Sequence, residues 1–175
     1  MEYKNLIQVI DVIAKLRDAV SGCPWDLKQN HQSLLKYLIE ESYEFIQAVE
    51  EDDTKKMEEE IGDVLLQVLL HAQIASETNQ FSIESVAKVL AEKMIYRHPH
   101  VFKQDSPDLN EQQVVENWKI LKEKSKEKSK YHINFEDAYA PSLTAANSIG
   151  KKSREVNFDW DKIEDVLAKV EEELN

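Results

Sequence analysis

Apolar residues recur at three- and four-residue intervals along nearly the whole chain, and only three glycines and four prolines interrupt them. No segment shows the in–out alternation of a strand. The expected class is all-α, a helical bundle. The first helix should cover residues 3–20, with Leu6, Ile10, Ile13 and Leu16 inward. A loop, SGCPWDLKQN, follows at 21–30. Further helices should cover 32–51 and 54–78. A fourth begins at Ser82, a good N-cap preceded by Phe81, and stops before Pro99. A fifth opens at Asn110, with Gln113 in the capping-box position, and enters the charged tract KEKSKEKSK at 122–130.

The third of these helices is unusual. From 64 to 75 it is apolar nearly all round, broken mainly by Gln67, His71 and Gln73. Such a helix belongs in the centre of a bundle or at a subunit interface, which points to a homodimer. Gly62 sits inside it at a cost of about 1 kcal/mol relative to Ala. That position suggests close approach of another helix or a ligand.

Two pairs of acids lie within these apolar stretches: Glu41 and Glu44, then Glu60 and Asp63. Each pair is spaced i, i+3, so both members leave the helix on one side. Glu41 falls on the stripe formed by Leu34, Leu38, Phe45 and Val49. Glu60 and Asp63 flank a second stripe of Met57, Ile61, Val64, Val68 and Ala72. Carboxylates enter a packed interior only when paired or metal-bound, because desolvation is costly. Acids converging between two helices therefore point to a divalent metal. Mg²⁺ favours oxygen ligands and shares its shell with substrate phosphates, with Mn²⁺ able to replace it. Glu40 adjoins the cluster as a weaker acid or base. A di-iron site needs Glu-x-x-His motifs, and neither pair supplies the histidine.

Composition narrows the function. The net charge of −12 argues against binding nucleic acid or an anionic membrane. One cysteine, Cys23, excludes an internal disulfide and a metal site of paired cysteines. The N-terminus lacks a signal-peptide pattern, and no apolar run is long enough to span a bilayer, so a soluble cytoplasmic protein is expected.

Lys93 and Arg97, i, i+4 at the end of the fourth helix, share a face. Cations there complement the helix dipole. Beside an acidic metal site, they also suit a polyphosphate. His98 and His100 flank a helix stop and are not read as ligands. Trp25 either stacks on a base or plugs the bundle end. Asp26 and Lys28 either cap a helix or touch substrate. His71 is read as a satisfied core histidine.

In this order these elements resemble the MazG family of nucleoside triphosphate pyrophosphohydrolases. The signature E-E-x-x-E then E-x-x-D reads here as Glu40, Glu41 and Glu44, then Glu60 and Asp63. CPWD at 23–26 and YRHPHVF at 96–102 add specificity, and the likeness runs over about 6–121. It implies a dimeric all-α enzyme that uses Mg²⁺ to cleave a nucleoside triphosphate at the α–β bond. It also implies that Glu41, Glu44, Glu60 and Asp63 bind metal and that Lys93 and Arg97 contact phosphate.

Residues 141–175 look like the opening of a second copy: FDWD at 158–161 echoes CPWD, and Glu172 and Glu173 echo Glu40 and Glu41. The expected division is therefore a first domain at 1–122, a polar connection at 123–140 and a partial copy at 141–175. That partial copy caps the first domain, packs across a dimer, or is a piece of a longer product. Two other functions remain open: a narrower (deoxy)pyrimidine triphosphatase, and a catalytically silent dimeric module that binds a nucleotide or a partner.

Overall fold

The computed structural model describes residues 3–103, 108–125, 142–158, 160 and 162–174, and every regular element among them is an α-helix. The order is α1 (Lys4–Leu16), α2 (Pro24–Lys28), α3 (His31–Glu50), α4 (Thr54–Glu77), α5 (Ile83–Arg97), α6 (Pro99–Phe102), α7 (Glu111–Ser125), α8 (Ser142–Glu155) and α9 (Ile163–Leu174). The chain divides into two compact units, Met1–Trp118 and Lys119–Asn175, with the boundary inside α7. No helix among the described residues is long and apolar enough to cross a membrane.

Local chemistry explains the boundaries. α1 ends at Leu16, not near Val20, because Asp18 redirects the backbone. Its Oδ1 accepts hydrogen bonds from the Ser21 amide (2.7 Å), the Val20 amide (3.3 Å) and the Ser21 hydroxyl (2.6 Å). Residues 24–28, read above as loop, form a short helix with Pro24 in its first turn, where a missing N–H costs nothing. α3 starts one residue early, at His31, because Asn30 caps it: Asn30 Oδ1 accepts from the Ser33 amide and Ser33 Oγ from the Asn30 amide, each at 3.0 Å. Asp53 caps α4. Ser82 caps α5 as expected, reciprocally with Ser85. The Asn110–Gln113 capping box also forms.

α4 is the hub of the first unit and packs against α1, α3 and α5. The core consists of Ile13 from α1, Leu34 from α3, and Leu69, Leu70 and Ile74 from α4, with Val9, Ile10, Leu16, Tyr37, Leu66 and Ile83 around it. α3 and α4 run antiparallel, so Glu41 faces Asp63 and Glu60 while His31 meets His71 further along.

Several expected core positions are corrected. Leu6, Val49, Ile61 and Val68 are exposed, and of the stripe read on α4 only Ala72 is buried. Because α4 is apolar on nearly every side, periodicity alone does not choose its inward face. Packing selects the side bearing Gln67, Leu70 and Ile74. Gly62 also has no close neighbour among the described residues, since a Cβ added there would meet nothing within 4 Å.

The second unit includes α8 and α9. Phe158 and Trp160 are exposed, while Asp159 and Asp161 of the FDWD echo lie outside the described residues. So does most of the 123–140 connection, of which only the part up to Ser125 is described, as the end of α7. Glu172 and Glu173 pair with Lys169, one turn earlier.

Candidate active site

Along the antiparallel seam, one helical turn separates Glu60 from Asp63 on α4, and Glu41 projects toward both from α3. One carboxylate oxygen from each of the three lies within 4.8 Å of the others. All three side chains are half-buried. Glu44, one turn after Glu41, is exposed and falls outside that trio, but its carboxyl hydrogen-bonds Glu60. Glu40 is exposed and acts on Glu41 only through its charge.

The electrostatics follow from this crowding. Partial burial raises the Glu41 pKa most, and repulsion from Asp63, Glu44, Glu40 and Glu60 pushes it further. Glu60 is raised likewise, first by desolvation and then by Glu44, Glu59 and Asp63. Lys56, one turn before Glu60, feels its charge but is held at 2.7 Å by Glu51. The cluster concentrates negative charge from two helices.

This donor set fits a hard divalent cation. Oxygens bound to Mg²⁺ at about 2.1 Å stand about 3–4 Å apart around the ion, a separation compatible with oxygens that lie within 4.8 Å of one another.

The other expected site residues are not gathered as tightly. Lys93 is exposed on α5, and Arg97, half-buried at its end, stacks over the Trp118 ring at 5.3 Å. Neither is among the groups that most affect Glu41 or Glu60. Trp25 does not plug the bundle: it is 48% exposed and meets Tyr37 edge-on at 5.7 Å. Asp26 is buried in the first turn of α2, whereas Lys28 is exposed. His98 accepts its structural reading, its Nδ1 lying 2.7 Å from the Met94 carbonyl.

His71 is only half satisfied. Its Nδ1 pairs with His31 Nδ1 at 2.7 Å, the rings stack, and burial lowers its pKa. Its Nε2 and the Gln67 Oε1 find no hydrogen-bond partner among the described residues. Arg17 and Glu77 were missed altogether, although Arg17 sits four residues after the core residue Ile13. A charged residue on a core stripe was the available signal.

Residues 29–102 match the model of the MazG nucleotide pyrophosphohydrolase domain. The chain is 47% identical to a Thermotoga maritima protein named nucleoside triphosphate pyrophosphohydrolase/pyrophosphatase MazG, over 95% of this chain and 64% of that protein. It is 32% identical to the Escherichia coli nucleoside triphosphate pyrophosphohydrolase, over 96% and 64% respectively. It therefore spans 64% of the length of these relatives. Among solved structures, a mazG-related protein from Thermotoga maritima superposes with a TM-score of 0.55 at 31% identity, covering 69% of this chain and 98% of that one.

Proposed function

This chain belongs to the MazG nucleotide pyrophosphohydrolase family, and from that premise we propose that it hydrolyses nucleoside triphosphates at the α–β bond to nucleoside monophosphate and pyrophosphate. One observation carries the reading: three carboxylate oxygens from two antiparallel helices meet within 4.8 Å of one another. Glu41, Glu60 and Asp63 hold Mg²⁺, or Mn²⁺ in its place, and Glu44 completes the acidic wall through Glu60. A divalent ion held there supplies Lewis acidity to a phosphoryl oxygen and activates water for attack. Glu40, next to Glu41 in the chain, serves as an acid or base toward the attacking water.

Lys93 and Arg97 offset the charge of the departing pyrophosphate, which requires the substrate to bridge from the acids to α5. Trp25 and Lys28 contact the remainder of the nucleotide. The protein works in the cytoplasm without nucleic acid or membrane partners.

The direct test is product analysis by ion-exchange chromatography with ATP, GTP, dCTP and dUTP, with and without Mg²⁺. Monophosphate and pyrophosphate should appear only with the metal. Diphosphate and orthophosphate would place cleavage at the wrong bond. Absence of any product with Mg²⁺ or Mn²⁺ would favour the silent binding module. Turnover confined to dCTP and dUTP would select the narrower pyrimidine enzyme.

The enzyme acts as a homodimer. Leu35, Ile39, Tyr43 and Ile46 recur on one exposed flank of α3, and Ile61, Leu65 and Val68 on an exposed flank of α4 beside the open Gly62. Exposed apolar rows of this kind need a protein partner. Sedimentation equilibrium should give a dimer for the wild type and a monomer for Leu65→Glu. A wild-type monomer at high micromolar concentration would exclude the dimer.

A further inference from the structure

The segment joining α1 to α3 is tied down by a set of hydrogen bonds, and Arg17 is at their centre. Its side chain is only 5% exposed. Nε donates to Glu77 Oε1 and Nη2 to Glu77 Oε2, each at 2.7 Å, a two-pronged pair with the last turn of α4. Nη1 turns the other way and donates to the Asp26 carbonyl and, at 3.3 Å, to the Gln29 carbonyl, at the C-terminal end of α2. A buried cation is tolerated only when its donors are used, and here every nitrogen has a partner.

The start of the segment is equally fixed. The Cys23 amide donates to the Leu16 carbonyl at 2.7 Å and the Gly22 amide to the Asp18 carbonyl at 2.8 Å. Backbone oxygens of Leu16 and Asp18 would lie 2.5 Å from any Cβ at position 22, so only glycine fits. On this clamped segment stands Trp25, half-exposed and edge-on to Tyr37. Tyr37 lies one turn before Glu41 on α3, so the indole meets the helix one turn from the first of the acids. Core packing does not account for a large aromatic ring exposed on so restrained a segment, whereas a planar ligand group does.

We propose that Arg17 is a positioning residue: by tying α2 to the end of α4, it sets Trp25 to stack on the nucleobase of a triphosphate whose phosphates lie at the acid cluster. The proposal rests on the nucleotide reading above and adds the part of the site that holds the base. Arginine is required because its planar fork engages both Glu77 oxygens while a further nitrogen reaches the carbonyls. A lysine ammonium, a single point donor on a flexible stem, cannot do both.

The test is calorimetric titration, in Mg²⁺, of the whole chain with an α,β-methylene nucleoside triphosphate and with inorganic tripolyphosphate, which has no base. Arg17→Lys should weaken the nucleotide analogue about tenfold, the order of one aromatic–base stack, and leave tripolyphosphate unchanged. Trp25→Ala should reproduce that selective loss, and the double variant should be no worse than either single one. Equal loss for both ligands, additive losses, or an unchanged analogue affinity in folded Arg17→Lys would overturn the assignment. If Arg17→Lys does not fold, Trp25→Ala decides alone: its half-exposed ring can be removed without opening the core, and unaltered selectivity would refute the stacking. Absence of analogue binding by the wild type would instead defeat the nucleotide reading itself.

Discussion

Asp63→Asn is expected to lower pyrophosphate release about 10³-fold, about 4 kcal/mol of barrier, while leaving the metal-free protein at least as stable as the wild type. The two halves of this expectation have one cause. Asp63 repels Glu41 and helps to raise its pKa. A carboxyl with a raised pKa binds its proton more tightly in the fold than in the unfolded chain. Its contribution is therefore intact at pH below the unfolded value and is lost as pH rises through the folded value. At neutral pH these acids strain the metal-free fold, and removing one charge relieves that strain. Bound cation removes it too, so Mg²⁺ should raise the melting temperature of the wild type and not that of Asp63→Asn. Calorimetric scans with Mg²⁺ and with a chelator, beside the turnover assay, check both parts. Full turnover in the variant, or a melting temperature that collapses without metal, would contradict the assignment.

Leu34→Ala should have the largest effect on stability. Among the described residues Leu34 is the most completely buried large side chain, at 0% exposure, and packs where α1, α3 and α4 meet, against Ile13, Leu69, Leu70 and Ile74. Truncation removes transfer free energy and leaves a cavity lined by three helices that cannot all collapse inward, a loss of about 3–5 kcal/mol. That is a large share of a typical total of about 5–15 kcal/mol. Urea unfolding at matched protein concentration measures it through the shift in midpoint. A loss of less than about 1 kcal/mol would mean that the α1–α3–α4 junction is not the core.

Much of this was legible before any coordinates. Helical spacing identified α1, α3, α4, α5 and α7, and the Ser82 and Asn110 caps form as their side chains require. The acids were singled out because carboxylates in apolar helical stretches are costly, and Glu41, Glu60 and Asp63 do meet. Other features depended on residues distant in the chain. Arg17 and Glu77 are 60 positions apart, and His31 and His71 are 40. The inward face of α4 was misread because its apolar residues surround the axis, leaving no contrast for a period to detect.

Spacing, caps and unbalanced carboxylates are local properties: each follows from the geometry of a single helix and from the cost of taking charge out of water. Those determined the class of fold and the chemical character of the site. The tertiary structure decided which face of α4 turns inward, that Glu44 stands off from the trio, and that a buried arginine locks the Trp25 segment. Each of these is a choice among packings of nearly equal local merit, settled only when separate helices compete for the same interior.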